Sequence, residues 1–476
     1  MLLDHSRDQP SSEPGTAGLV VVSNRLPIRM VPDESGASVW SASPGGLVSA
    51  LTPVLRGSDG VWVGWTGQTA AVGLPDSYEG IAMNAVPLSA DEYEDFYLGF
   101  SNRTLWPLYH DGIRTPSFDR RWWQAYVAVN RRYAESAAKA AGVGATVWVH
   151  DYHLQLVPMM LRAMRPDVRI GFFLHIPFPS QELFAQLPWR REIIEGLLGA
   201  DLIGFQVPGA AANFARLARR LAGATGAEGV LRHDGRDVRV GAFPISIDTA
   251  EIERRATDPK VIERAQQIRH DLGDPEVVML GVDRLDYTKG IEHRFRALAE
   301  LYAEGTLTAP RHVIVQIAVP SREEDTHYQH ERENLERLVG EVNGTYGHVG
   351  HPAIHYLHQS VEIDELVALY VAADVMIVTP LRDGMNLVAK EYVASRTDTN
   401  GALVLSEFAG AARELRSAIL VNPHDLDGIK EAIRGALDLD DLERTTRMRR
   451  LRRIVRRNDV YAWARNFLSA LQHVHD

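Results

Sequence analysis

The 476-residue chain contains no cysteine. Disulfides and thiolate metal sites are excluded, and a cytoplasmic location is the expectation that agrees with this. No window approaches the roughly 18 uninterrupted apolar residues of a membrane span, so no membrane partner is expected. Basic residues are in the minority: a formal net charge of −11 argues against nucleic acid as the main partner. The stretch MLLDHSRDQPSSEPGTA, residues 1–17, lacks the apolar core of a secretory signal and reads as a disordered polar tail. A nicotinamide fingerprint is missing as well, because no G-x-G-x-x-G follows a strand and the GVGA at 142–145 precedes one.

What is present is a soluble, globular composition, 45% hydrophobic and 24% charged. The length predicts two or three domains of roughly 150 to 250 residues. Short β-branched runs alternate with helical patterns, which predicts an α/β class with parallel sheets. GLVVVSN, TVWVH, RIGFFLH and DLIGFQ read as buried strands in the first half; EVVMLGV, HVIVQIAV, AIHYLHQ, DVMIVT, ALVLSE and AILVNP repeat the scheme in the second. The strand signal gives way to a charged helical pattern over 250–272, so a boundary is expected near GAFPISID (241–248), around residues 243–248. Two such units facing each other would form one cleft at the carboxyl ends of their strands. Near the C-terminus, RTTRMRRLRRIVRRND places Met448, Leu451 and Val455 at helical spacing. That predicts a helix with a solvated basic face; an anion or subunit contact is the alternative.

The junction PLRDGMNLVAKE, Pro380 to Glu391, predicts a strand ending at Thr379, a tight loop at Gly384 and a helix from Met385 or Asn386. Backbone amides at such a helix mouth suit an anion or a row of sugar hydroxyls. Glu391, four residues after Leu387, lies one turn below and can accept two hydrogen bonds from a diol such as a ribose. The plainer alternative makes Asp383 an N-cap and pairs Glu391 with a surface cation.

GVDRLDYTKG sets Arg284 and Lys289 at another strand end, where two cations suit a diphosphate or are merely solvated. Arg25 follows the first strand in SNRLP, and Gly45 and Gly46 precede a helix pattern, as in phosphate-cradling loops or ordinary turns. Asp151 ends a strand between His150 and His153; no further ligand accompanies this pair, so a hydroxyl acceptor is expected there rather than a metal. His175 ends the next strand as a sugar contact or a core histidine. Tyr97 and Trp106 wall a sugar-phosphate site or fill a core, and Arg322 in AVPSRE is a third strand-end cation. Asp425 and Asp427 mimic a metal-binding D-x-D but read better as a helix N-cap.

Taken in order, VVVSNRLP, SPGGLVSAL, GWTGQ, FSNRTLWPLYH, VWVHDYHLQLVP, IGFFLHIPFPS, DRLDYTKG and TPLRDGMNLVAKEYV with LSEFAGAA resemble the trehalose-6-phosphate synthase family across about residues 18–470. The resemblance implies a GT-B fold of two Rossmann-like domains: an acceptor domain at 18–245, a donor domain at 246–457, and a helix at 458–476 crossing back. It implies a retaining glycosyltransferase that moves glucose from a nucleotide diphosphate glucose to C1 of glucose 6-phosphate, without metal or cofactor, in a homo-oligomer (dimer or tetramer). Carried over by motif, Arg284, Lys289 and Gly46 hold the donor diphosphate with the Leu387 and Val388 amides, and Glu391 takes the ribose. Asp383 and the amides of Gly384, Met385 and Asn386 take the donor glucose, with His175 at its 6-hydroxyl. Arg25, Trp65, Tyr97, Trp106, Asp151 and Arg322 form the acceptor site. Asp151, His175, Arg284, Lys289 and Asp383 are thus the candidate catalytic group, and the uracil, adenine or guanine of the donor stays open. Rival readings are a sugar-nucleotide epimerase, a pseudo-glycosyltransferase joining cyclitols, and an inactive sugar-phosphate sensor.

Overall fold

Alternation of side chains along the strands decides which core each residue enters. In Ala17–Arg25, Val20 and Val22 bury in one cluster while Val21 faces another. A strand that is apolar on both faces belongs inside a parallel sheet. The computed structural model describes residues 15–32, 38–43, 48, 51–52, 55, 60–70, 72–75, 77–227, 229–322 and 326–474. Most of the expected tail, and Gly45 and Gly46, lie outside these residues.

Ala17–Arg25 sits within a nine-stranded sheet. On one side follow Ala141–His150, Arg169–Phe173, Leu202–Phe205 and Arg236–Ala242; on the other, Gly60–Trp65 and Ile81–Ala85, all parallel. Val230–His233 and Ser77–Tyr78 close the two edges antiparallel. The second sheet has six parallel strands in the order Ile354–Leu357, His312–Val319, Val277–Arg284, Val375–Val378, Ala402–Ser406 and Ile419–Val421. All ten strands expected from the sequence occur. The hairpin Ile28–Pro32 with Ser38–Ala42 and the charged strand Arg236–Ala242 were not among them.

In each sheet the chain builds outward on one side of its first strand and then crosses to the other. The crossing points lie between Ala17–Arg25 and Ala141–His150, and between Val277–Arg284 and Val375–Val378. At such a switch point the loops diverge and leave a crevice at the carboxyl ends of the strands. Arg25, Asp151, Arg284 and the loop after Thr379 all stand there.

A single hydrophobic cluster runs from Trp62, Trp148 and Phe173 of the first sheet, through Ile245 and Ile247, to Val278 and Met376 of the second. The helix Val460–Gln472 contributes Trp463 and Phe467 to it. Gly171 and Gly204 seat that helix: a Cβ would lie 2.8 Å from the Phe467 ring at Gly171 and 2.7 Å at Gly204.

The charged pattern at 250–272 is two helices, Thr249–Ala256 and Pro259–Asp271, because Asp258 caps the second and Pro259 opens it. In the basic helix Asp441–Arg457, Met448, Leu451 and Val455 are buried as their spacing predicts. Arg452 departs from the solvated-face expectation. It is buried, donates to the Val393 carbonyl at 3.1 Å and to Glu253 at 2.8 Å, and so satisfies the last turn of the helix Leu387–Ser395.

Candidate active site

Beyond Val375–Val378 the chain turns through a loop into the helix Leu387–Ser395. Its N-cap is Asn386, which adopts φ +90 and accepts a hydrogen bond from the Ala389 amide at 2.9 Å. Asp383 is therefore not the cap. Its carboxylate accepts instead from Lys289 Nζ at 2.6 Å and Asn386 Nδ2 at 3.2 Å. Burial opposes ionisation of Asp383, but the Lys289 ammonium beside it outweighs that, and the carboxyl lies below its ordinary range. Glu391 is half-buried, accepts from the Tyr370 hydroxyl at 2.9 Å, and has its carboxyl pushed up by burial. The mouth of this helix thus holds the first-turn amides of Leu387 and Val388 above a carboxylate one turn below.

Arg284 ends its strand exposed, with its guanidinium 5.5 Å from the Trp106 ring. Two residues on, Asp286 accepts from the Thr288 amide at 2.9 Å and from Arg322 Nη1 at 2.9 Å. Arg322 has φ +51, donates also to the Tyr328 hydroxyl, and lies 4.1 Å over Trp106. Sequence reasoning missed Asp286, although it sits inside the RLDYTKG motif; its partner comes from a different strand end, which no local pattern reveals.

From the first sheet, Arg25 stacks 4.4 Å over Trp65, whose indole N–H is held by the Gln68 carbonyl at 2.8 Å. The guanidinium stands 6.0 Å from Tyr97. Tyr97 belongs to a 13-residue π-helix, Tyr93–Leu105, and stacks on His153 at 5.8 Å with 8° between the rings. Such wide helices are rare and frequently found at functional sites. Burial raises the Tyr97 phenol, yet Arg322, Arg25 and Arg284 together bring it below its ordinary value. Burial holds His153 neutral, and the same three arginines reinforce this. Cations from both sheets therefore act on one volume.

Asp151 takes φ +75 at the end of its strand and accepts from the His175 amide at 3.2 Å. Burial raises its carboxyl to about 6, against the Tyr152 and His175 amides and the Arg284 and Arg322 charges. His175 lies 3.0 Å from His150 Nδ1, and burial lowers it to about 3, so it is neutral. A Cβ on Gly384 would lie 2.1 Å from the His175 carbonyl oxygen, so the two halves of the cleft meet at that glycine.

The ring of His150 packs at 4.7 Å on Trp148 while that of His153 faces Tyr97. Among the described residues no group of three or more His, Asp or Glu could hold a metal ion. Asp425 accepts from the Gly428 amide at 2.9 Å as an N-cap, and Asp427 pairs with Lys430. Gly46 is not among the described residues; of the others, Arg25, Trp65 and Tyr97 are joined by ring contacts, Arg284 and Arg322 meet at Trp106, Lys289 pairs with Asp383, and Asp151 bonds to His175, whose carbonyl lies against Gly384.

Residues 17–473 match the model of glycosyltransferase family 20. The trehalose-6-phosphate synthase of Mycolicibacterium smegmatis is 57% identical over 96% of this chain and 93% of its own length. That of Mycobacterium avium is 55% identical over 98% and 97%. Among solved structures, the UDP-forming α,α-trehalose-phosphate synthase of Burkholderia xenovorans in complex with glucose 6-phosphate superposes with a TM-score of 0.87 and 36% identity, covering 95% of this chain and 99% of that one. An E. coli structure bound with UDP-2-fluoro glucose gives 0.87 and 35%, covering 96% and 99%. With a family match across nearly its whole length, and relatives of this name on the same two-sheet fold, the chain belongs to glycosyltransferase family 20, the trehalose-6-phosphate synthases.

Proposed function

We propose that this enzyme transfers glucose, with retention, from a nucleotide diphosphate glucose to C1 of glucose 6-phosphate, giving α,α-trehalose 6-phosphate and a nucleoside diphosphate. The observation that carries this reading is that Arg25 of the first sheet stands on the Trp65 and Tyr97 rings while Arg284 and Arg322 of the second stand on Trp106. A site with two phosphate-bearing ligands needs that much positive charge in one cleft. The relatives solved with glucose 6-phosphate and with UDP-2-fluoro glucose support the same two ligands.

In this reading Arg25 on Trp65, Tyr97, Trp106 and Arg322 bind the acceptor, with Asp151 taking an acceptor hydroxyl. Arg284, Lys289 and Gly46, with the Leu387 and Val388 amides, hold the donor diphosphate, and Glu391 the ribose. Asp383, the Gly384, Met385 and Asn386 amides and neutral His175 orient the donor glucose. Residues 18–245 form the acceptor domain, 246–457 the donor domain, and 458–476 return to the first; the enzyme is a homo-oligomer.

The reaction proceeds on the front face. The donor C1–O bond breaks, the electron pair leaves with the diphosphate, and the acceptor C1 hydroxyl oxygen bonds to the same face of the sugar. Its proton passes to the departing phosphate oxygen. Arg284 and Lys289 stabilise the charge that builds on the leaving group, a contribution on the order of 10²–10³ in rate for each fixed donor. Asp383, held ionised by Lys289, is a poor acid and stays a hydroxyl acceptor.

The test is incubation with EDTA, glucose 6-phosphate and UDP-, ADP- or GDP-glucose in turn, following nucleotide release and product NMR. An α,α-1,1-linked phosphorylated disaccharide is expected, and the release rates rank the donors. Binding of all donors without turnover overturns the reading, as does a covalent glycosyl-enzyme trapped on Asp151 or Asp383.

A further inference from the structure

Lys390 lies between Val388 and Glu391 on the helix assigned to the donor, yet it is buried behind the site at 1% exposure. Its ammonium donates to the Ile245 carbonyl at 2.8 Å and to Glu414 Oε2 at 2.7 Å. The other Glu414 oxygen accepts from Asn458 Nδ2 at 2.7 Å. Ile245 belongs to the segment by which the chain first leaves the nine-stranded sheet, and its amide donates to Gln206 Oε1 at 3.0 Å, just beyond the strand Leu202–Phe205. Asn458 belongs to the return crossing, immediately before the helix Val460–Gln472. The two crossings are bonded to each other, Val460 N–H to the Ile247 carbonyl at 2.9 Å.

Glu414 also ends a stretch that braces the donor loop: the Gly410 amide donates to the Asp383 carbonyl at 3.2 Å and the Ala411 amide to that of Met385 at 2.8 Å. One buried ion pair therefore joins the helix, its preceding loop and both chain crossings. The return helix carries Trp463, which packs 6.2 Å from His175 and 5.2 Å from Phe173.

We infer that Lys390 is a positioning residue for glycosyl transfer: its ammonium holds the donor helix in register with both crossings and, through them, with His175 and Asp151. The inference rests on the reading of Leu387–Ser395 as the donor helix. Each half of the cleft can bind its own ligand without Lys390, because the binding groups of the donor nucleotide and of the acceptor come largely from different sheets. Transfer requires both ligands at bonding distance, where a displacement of about 1 Å costs on the order of 10²-fold. Loss of the tie therefore lowers turnover and leaves nucleotide binding alone.

The experiment compares the parent with Lys390→Met, Lys390→Arg and Asn458→Ala, measuring kcat with the best donor and calorimetric Kd for its nucleoside diphosphate (UDP, ADP or GDP). Lys390→Met is expected to lower kcat at least about tenfold with Kd within about twofold, and Lys390→Arg, which keeps the charge, to recover most of the loss. Asn458→Ala keeps the ion pair and is expected to lower kcat about threefold with the same Kd. A kcat unchanged in Lys390→Met, or a Kd that worsens in step with kcat, overturns the inference; if Lys390→Met does not fold, Asn458→Ala decides by the same criteria. Transfer by the parent with unaffected variants overturns this inference alone. No transfer by the parent overturns the functional reading and this inference with it.

Discussion

Arg25 of the first sheet and Lys289 of the second are held by different means, while Arg284 and Arg322 of the second sheet also share a ring, that of Trp106. Arg25, from the first sheet, lies on the Trp65 ring and among the described residues has no carboxylate partner. Lys289, from the second, is already paired with Asp383, and Arg322 with Asp286. An aromatic face orients a guanidinium without neutralising it, whereas a carboxylate both orients and neutralises. In the proposed reading, the ring-held arginine keeps its hydrogen-bonding edge available for the acceptor phosphate. In the same reading, the carboxylate-held lysine is fixed in advance for a charge that develops only as the leaving group departs.

The sharpest way to break this contrast is Lys289→Ala. It leaves Asp383 without its cation and, in the proposed reading, removes a diphosphate contact, so kcat is expected to fall on the order of 10²–10³-fold with every donor, read from initial rates. Arg25→Ala is expected to act on the acceptor instead. A lost charge-assisted hydrogen bond of about 1.5–3 kcal/mol raises the KM for glucose 6-phosphate on the order of 10- to 100-fold, with kcat little changed. Equal effects of both variants on donor binding alone would show that the two halves have been misassigned.

Trp65→Leu tests the ring itself. Its loss of about 0.5–2 kcal/mol of cation–π attraction shifts the same KM in the same direction but by less than Arg25→Ala; a larger effect would make Trp65 a direct sugar contact. Asp151 sharpens the contrast through pH. Burial raises its carboxyl to about 6, and the ionised form is the stronger hydroxyl acceptor, so in the proposed reading activity is expected to fall as pH drops below that value. The acceptor phosphate ionises near ~6 as well, so the parent is compared with Asp151→Asn across pH; the part of the acid limb due to Asp151 vanishes in the variant. The smallest effect is expected at the helix mouth. Asn386→Ala loses an N-cap worth about 1 kcal/mol, and denaturant unfolding should show Asn386→Gly losing less, because φ +90 suits glycine.

Strand and helix positions were legible because they depend on local pattern. The run VVV and the apolar stripe of Met448, Leu451 and Val455 carry their own periodicity, and both occur as read. The candidate site residues could be named because they stand in motifs at strand ends. The bonds that hold them could not. Asp383 read as a possible cap from its position before a helix, but Asn386 takes that role and leaves Asp383 for Lys289, 94 residues earlier. Arg452 read as a solvated member of a basic face, yet it closes the end of another helix 58 residues away.

By itself the sequence determined the α/β class and the family, and it supplied the candidate site residues, since periodicity, turn chemistry and motif order are properties of neighbours along the chain. The tertiary structure alone decided which cation meets which carboxylate, that Arg322 of the second sheet shares Trp106 with Arg284, and that Gly384 touches His175 across the cleft. Those pairings depend on the two switch points being brought face to face, a long-range arrangement imposed by a core continuous between the sheets and by the two crossings tied at Lys390.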